Sequence, residues 1–423
     1  MSNWEEVKLG TLGKIATGKT PSTKVDIYWS GDIPFITPKD IQSSKHIWKA
    51  ERYLSNEGML SVKGSILPKD AICVSCIGNI GYVSMTTKQS ISNQQINSII
   101  VNDENDANFI YYLMKSLWPY FKSYEGQSTT LSILNKSQFS KIDVCIPKNK
   151  EIQKKIAGVL GALDDKIELN NKINNNLEQQ TQALFKSWFV DFEPFGGTMP
   201  DDWKEINLSD IATFVGGYSY KGSELQTSST AMATIKNFDR QGGFKLDGFK
   251  EILPSSKLKE TQKADLFDIL VAHTDLTQNA DVIGNAEMLL SKAGYLDVII
   301  SMDVVKVMPQ KGISKFLLAA LLKDNRFKQH CLGYINGTTV LHLSKKALPE
   351  FTFAFPNSVD TVNELTQTLE CLYKKLASNI AENTRLAQLR DSLLPKLMSG
   401  EIDVSNVDIS ALTSTDKSSF NKD

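Results

Sequence analysis

Ile152-Gln153-Lys154-Lys155-Ile156-Ala157-Gly158-Val159-Leu160-Gly161-Ala162-Leu163-Asp164-Asp165-Lys166-Ile167 opens a run that continues without proline to Phe189. Within it Ile156, Leu160, Leu163, Ile167, Asn170, Asn174, Leu177, Thr181, Leu184 and Trp188 are separated by alternating steps of four and three. That spacing keeps one stripe of a helix turned toward a partner helix. Adding 209 to each number gives Leu365, Leu369, Leu372, Leu376, Asn379, Asn383, Leu386, Arg390, Leu393 and Leu397. The stripe recurs with asparagines at the same two steps. Two long copies in one chain make each other the obvious partner. If they run antiparallel, Asn170 faces Asn383, Asn174 faces Asn379, and Arg390 crosses near Leu163, within reach of Asp164 or Asp165.

The repetition extends outward from the helices. Trp4-Glu5-Glu6-Val7-Lys8-Leu9 meets Trp203-Lys204-Glu205-Ile206-Asn207-Leu208, Thr37-Pro38-Lys39-Asp40-Ile41 meets Thr234-Ile235-Lys236-Asn237-Phe238, and Ile77-Gly78-Asn79 meets Ile283-Gly284-Asn285. From Ser92 and Ser301 onward an offset of 209 can be written without a gap. The second copy carries a net excess of ten residues, much of it at His273 to Val282. The expected organisation is therefore a first module at 1–148, a long helix at 149–193, a second module at 194–357, a second long helix at 358–400 and a loose Ser/Asp-rich tail at 401–423. In each module a short branched run (Asp70 to Ser75, Asp268 to Ala272) reads as a buried strand. An alternating run ending in proline (Ile142 to Pro147, Phe351 to Pro356) reads as a half-buried one. Asn108 to Phe121 and Ser314 to Phe327 read as amphipathic helices. The fold class is α+β: two tandem mixed modules separated by an antiparallel helix pair with a pseudo-two-fold repeat.

Composition narrows the function. With 41% apolar and 22% charged residues, and no apolar run of spanning length, the chain reads as an ordinary globular protein with no membrane segment. The absence of a signal-like start and the five cysteines, an odd number, predict reduced thiols and a cytoplasmic home. A net charge of −1 makes the chain as a whole no electrostatic magnet for nucleic acid. Any DNA binding must rest on particular surfaces.

Gly13-Lys14-Ile15-Ala16-Thr17-Gly18-Lys19-Thr20 matches the phosphate-loop pattern letter by letter, and a nucleotide-dependent enzyme built on it is the alternative reading. Against it, Pro21 follows at once, no helical periodicity comes after, and the equivalent Ala212 to Ser219 has no Gly-Lys-Thr. A turn whose lysine holds a DNA phosphate fits better. Cys73 and Cys76 have metal-ligand spacing but no second pair, so they read as the end of a buried strand. Asp164 and Asp165 lie off the seam and read as a solvated helix face. None of the thirteen prolines is adjacent to another, which removes the Asp/Asn-Pro-Pro-aromatic motif that amino-methylation needs. No catalytic and no metal site is expected.

What remains are polar residues in turns, mostly repeated in both modules: Lys19, Thr20, Thr37, Lys39, Asp40, Asn79, Gln127, Ser128, Thr129 and Thr130, then Lys221, Thr234, Lys236, Asn237, Asn285, Asn336, Thr338 and Thr339. Amide, hydroxyl and ammonium groups read base edges and hold phosphates. Each also has an ordinary role in turns.

The layout resembles the specificity (S) subunit of a type I restriction-modification enzyme. The carriers are the Trp-x-x-Val-x-Leu opening at Trp4, Thr129-Thr130 ahead of the strand ending in Pro147, and Ile152 to Asn171, which is close to the family's first conserved region. Leu386 to Val404, including Leu393-Leu394-Pro395-Lys396-Leu397-Met398-Ser399-Gly400-Glu401-Ile402, resembles the second. The resemblance implies that each module is a target-recognition domain reading one half of a split, asymmetric site in double-stranded DNA. It implies that the helices form the spacer and dock two methyltransferase (M) subunits, and that restriction (R) subunits join the complex. S-adenosylmethionine, and the ATP and Mg2+ of restriction, would belong to those partners, and this chain would be non-catalytic and bind no cofactor. A helix of about 38 residues, roughly 57 Å long, could hold two readers about one DNA turn, 34–36 Å, apart. A scaffold that assembles partners without reading sequence is the remaining alternative.

Overall fold

The computed structural model describes residues 3–41, 44–124 and 132–408. The architecture is mixed α and β, with two long helices, Lys150–Phe189 and Asn363–Met398. The chain divides into two compact units, Met1–Leu169 with Arg385–Asp423, and Asn170–Thr384. Each unit therefore takes half of each long helix. Among the described residues no helix is long and apolar enough to cross a membrane.

In the first unit Trp4–Lys8 runs antiparallel to Asp143–Pro147, with Trp4 opposite Pro147. Val144 and Ile146 point inward and Asp143 and Cys145 outward, as the alternation of the run requires. A five-stranded sheet has the order Gly13–Thr17, Ile96–Val101, Ile72–Ser75, Val83–Thr86, His46–Ile47. A four-stranded sheet is built from Arg52–Leu54, Ile33–Ile36, Ser90–Ser92 and Ile66–Leu67. The single helix expected at 108–121 is two, Ala107–Ser116 and Trp118–Ser123. Pro119 has no N–H to continue the first helix but suits the opening turn of the second. The core of this unit joins Phe109, Tyr112, Phe121 and Phe139 to Ile156, Leu160 and Leu397 of the long helices. At Gly400 φ is +75°, and an added Cβ would lie 2.9 Å from the Trp4 indole nitrogen, so glycine ends the second long helix against the first strand.

The second unit repeats the opening pair: Trp203–Asn207 runs antiparallel to Thr352–Pro356, with Trp203 opposite Pro356. One four-stranded sheet has the order Ala212–Gly216, Val304–Pro309, Ile269–Ala272, Ala286–Met288, and another Lys250–Glu251, Thr230–Ala233, Asp297–Ile300, Lys263–Ala264. A third sheet joins Thr274–Asp275, Leu341–Leu343 and Ile335–Asn336. The helix expected at 314–327 is likewise split, into Lys315–Lys323 and Asn325–Leu332. Asp324 ends the first in an extended conformation and caps the second, accepting from the Arg326 N–H at 2.9 Å.

The gapless offset of 209 is corrected by strand pairing. Ile99 lies opposite Ile15, and Val307 opposite Phe214, which makes Val307 rather than Met308 the counterpart of Ile99. Ile99 and Val307 are buried whereas Met308 is exposed. A one-residue slip in a strand would have turned the wrong face inward.

The helix stripe is also wider than its sequence spacing indicates. Ile156, Leu160, Asn170, Asn174, Leu365, Leu369, Leu376, Asn379 and Leu397 are buried, while Leu163, Ile167, Leu177, Leu184, Leu372, Leu386 and Leu393 are half-buried. Off the stripe, Phe185 and Phe189 stack at 5.0 Å and Phe189 reaches Trp203 at 4.9 Å. In the second unit the long helix therefore belongs to the module's own core.

Candidate nucleic-acid interface

The turn shared by both units shows how the polar candidates divide. In the first unit the Asp40 carboxylate accepts from the Thr37 N–H and hydroxyl, both at 2.7 Å, and from the Glu51 N–H at 2.9 Å. In the second, the buried Asn237 carboxamide accepts from the Thr234 N–H at 2.8 Å and donates to the Lys245 carbonyl at 2.7 Å. Thr37, Asp40, Thr234 and Asn237 thus hold the turn together from inside. Only Lys39 and Lys236 face outward from it, and Lys39 stands 3.6 Å from Glu51.

The Gly-Asn turns differ between the units. Asn79 is exposed, whereas Asn285 donates to the Asp239 carbonyl at 3.1 Å and accepts from the Lys328 ammonium at 2.8 Å. Lys19 and Lys221 are exposed, and Thr20 donates to the Gln94 side chain at 2.7 Å. Asn336, Thr338 and Thr339 are exposed at the end of the hairpin closed by Leu341–Leu343. Gln127, Ser128, Thr129 and Thr130 lie outside the described residues.

The phosphate-loop reading fails on geometry. Gly13–Thr17 is a strand paired to Ile96–Val101, where a phosphate loop would be followed by a helix whose N–H groups face the ligand. A Cβ on Gly13 would come 2.2 Å from the Ile100 carbonyl oxygen and one on Gly18 2.0 Å from that of Asn93. These glycines serve close strand packing. Gly217 does the same in the second unit, where a Cβ would come 1.9 Å from the Ser301 oxygen. Cys73 lies within a central strand and Cys76 just beyond it; burial pushes their thiols up to about 12 and about 11.

The seam asparagines meet across the two long helices within the second unit. Asn170 donates to Asn383 at 2.9 Å and to Glu382 at 2.8 Å, Asn379 donates to Asn174 at 2.8 Å, and Asn383 donates to Asn171 at 2.8 Å. As numbering rises along the first helix it falls along the second. In the first unit Arg390 donates to Asp164 at 2.7 Å, and Asp164 also accepts from the buried Tyr112 hydroxyl at 2.6 Å. The reading of Asp164 as part of a solvated face is overturned, since its side chain is only 10% exposed, while Asp165 is exposed. Burial lowers the Lys45 and Lys115 pKa values beside this carboxylate, and the Lys45 ammonium sits 5.2 Å from the Tyr112 ring centre.

Sequence reasoning passed over the residues that build the second unit's excess segment. The Asp275 carboxylate, 2% exposed, accepts from the Thr277 N–H and hydroxyl, both at 2.8 Å, and from the Val282 and Ile283 N–H groups at 2.6 and 3.3 Å. The Lys328 ammonium faces the Ala280, Asp281 and Ile283 carbonyls at 3.1, 3.2 and 2.5 Å. The jump in repeat offset at His273 to Val282 was the available signal.

Comparison with known proteins shows what this chain is similar to. Residues 1–179 match the family described as the type I restriction modification DNA specificity domain. Along nearly the full chain, it is 27% identical over 420 residues to the type I restriction enzyme MjaIX specificity subunit of Methanocaldococcus jannaschii, covering 95% of this chain and 94% of that protein. The HindI specificity subunit of Haemophilus influenzae is 38% identical over 177 residues, 41% of this chain and 38% of that one. The crystal structure of the type I restriction-modification S subunit from M. genitalium shares the fold with a TM-score of 0.52 at 18% identity, covering 93% of this chain and 96% of that one. The resemblance carried by Ile152 to Asn171 and Leu386 to Val404 is borne out: this chain is a relative of type I specificity subunits.

Proposed function

We propose that this chain is the DNA-recognition subunit of a type I restriction-modification complex. The observation that carries the reading is the match of residues 1–179 to a DNA specificity domain, extended by similarity to a specificity subunit over 95% of the chain. Each module reads one half of a bipartite asymmetric site in double-stranded DNA, and the long helices pair as an antiparallel coiled coil that sets the spacing of the halves. The equal registers of Trp4 on Pro147 and Trp203 on Pro356 support two versions of one module. The asparagine contacts, with Asn170 on Asn383 and Asn174 on Asn379, support the antiparallel pairing. Buried amides of this kind fix register at some cost in stability.

The chemistry lies elsewhere in the complex. Two methyltransferase subunits dock on the helices and bring S-adenosylmethionine; restriction subunits bring ATP and Mg2+. This chain binds no cofactor, catalyses nothing and works in the cytoplasm. Exposed Lys19, Lys39, Lys221 and Lys236 hold phosphates, and their number is small enough that affinity depends on the partners. Inserting one heptad into the first long helix, with a matching heptad in the second, lengthens the spacer and leaves both half-sites unchanged. Methylome sequencing of a host carrying the altered chain reads this directly, and an unchanged spacer overturns the ruler.

A further inference from the structure

The second unit contains a surface loop more firmly tied than its position requires. Residues 275–285 are closed by two charges of opposite sign, the buried Asp275 carboxylate and the half-buried Lys328 ammonium. An ammonium has three protons, yet Lys328 faces four oxygens, those of Ala280, Asp281 and Ile283 and the Asn285 side chain. Ala280 is held at a φ of +53°, which a residue with a Cβ adopts only when its surroundings impose it.

So much internal bonding leaves the tip pointing outward in one conformation. Leu276 is 67% exposed, and Gln278 bridges to the neighbouring hairpin by donating to the Thr338 carbonyl at 2.7 Å. The hairpin presents Asn336, Thr338 and Thr339. Neither 276–280 nor 335–340 carries a carboxylate, though Asp281 follows at once and stands 3.6 Å from Arg240; burial lowers the His273 pKa, His342 and Lys345 lower it further, and Asp303 opposes them. An exposed leucine among amides and hydroxyls, with Lys345 close to the hairpin, is suited to the edge of a DNA duplex. Carboxamides pair with adenine, hydroxyls with any base edge, and an aliphatic group meets the thymine methyl.

We propose that the second unit reads its half-site through this clamped loop and hairpin, with Leu276, Gln278, Asn336 and Thr338 facing bases and Lys328 and Asp275 as positioning residues. Rigid pre-ordering spares the complex the entropy of ordering the loop at each encounter. This rests on the reading of the chain as a DNA-recognition subunit.

The test is methylome sequencing of host chromosomal DNA, with the full chain expressed alongside its partner subunits. Leu276→Ser and Gln278→Ala, both on the surface, are expected to relax base preference about 5- to 100-fold at one or two adjacent positions of one half-site. The other half-site and the spacer stay as they were. Lys328→Met is expected to relax the same positions, which a general loss of folding would not do, since that lowers methylation of the whole site uniformly. An unchanged motif in Leu276→Ser and Gln278→Ala, or relaxation in both half-sites, overturns the loop's role while leaving DNA recognition by the chain intact. A motif still methylated when the chain is deleted overturns both.

Discussion

Position 164 of the first long helix and position 373 of the second lie 209 residues apart, and the two units fill them with opposite chemistry. In the first unit it is Asp164, which accepts from Tyr112 and Arg390. In the second it is Tyr373, fully buried, its ring stacked on Phe316 at 6.0 Å, with the Lys323–Glu287 ion pair nearby at 2.8 Å. Arg390 itself corresponds to Thr181, which turns its hydroxyl back to the Leu177 carbonyl at 2.9 Å. The long helices thus accommodate an ion pair in one unit and an aromatic ring in the other. What the two units share is burial at this step, reached with a hydrogen-bonded carboxylate in one and an aromatic ring in the other.

Breaking the charged version has the largest expected consequence. Arg390→Met leaves Asp164 mostly buried with Tyr112 as its direct donor among the described residues, and burial of an uncompensated charge costs roughly 3–5 kcal/mol when complete. The Arg390 side chain is 20% exposed and that of Asp164 10%, which trims the expected loss to about 2–3 kcal/mol. Urea unfolding of the chain measures it. The pair Asp164→Leu with Arg390→Met converts the site toward the apolar character of the second unit and should recover most of the loss. If the double variant were as unstable as the single, the two units would not be alternative solutions to one packing problem.

A smaller effect distinguishes the second unit's loop. Burial alone would raise the Asp275 pKa, but hydrogen bonds from Val282, Thr277 and Ile283 outweigh it, and the carboxyl lies below the usual range. A depressed folded pKa means that the stabilisation is present above the unfolded value of about 3.9 and is lost as pH falls through the folded value. Acid should therefore loosen residues 275–285 of the second unit at a pH where the first unit's Gly78 turn, which lacks such a carboxylate, is unaffected. Hydrogen exchange at the Val282 and Ile283 amides, followed downward from pH 5, checks this. Asp275→Asn should cost about 1–2 kcal/mol of loop stability and flatten the dependence. Exchange insensitive to pH in the native chain removes the carboxylate from the clamp.

The sequence made the scaffold legible because helices and strands write their periods locally. The four-three spacing located both long helices, and the alternation of Phe351, Phe353 and Phe355 located the strand that meets Trp203. It also placed the asparagines at positions where they meet. Less was legible in the polar turns, because Thr234 and Asn237 look the same in a sequence whether they bond inward or outward. Their burial comes from Gly248 and Lys245, ten or so residues on. The Asp275–Lys328 clamp was invisible for a related reason. Its charges lie 53 positions apart, and no period connects a loop carboxylate to a helix lysine. The reach of Arg390 to Asp164 was legible from the antiparallel seam, but the burial of Asp164 was not, because Tyr112 comes to it from another helix.

The smallest expected effect tests the aromatic side of the comparison. The Tyr373 hydroxyl is buried and has no hydrogen-bond partner among the described residues, and burial raises its pKa well above that of a free phenol. A buried unsatisfied hydroxyl is a cost, so Tyr373→Phe should be neutral or stabilising by up to about 1 kcal/mol. At the other half of the repeat, Tyr112→Phe removes a donor from Asp164 and should destabilise by about 1–2 kcal/mol. Identical deletions of one oxygen thus carry opposite signs in the two units, because in one the hydroxyl completes a charged network and in the other the ring alone is used. Equal losses from both, measured by thermal unfolding of the two variants side by side, would mean that the Tyr373 hydroxyl has a partner in solution and that both units rely on polar contacts at this step.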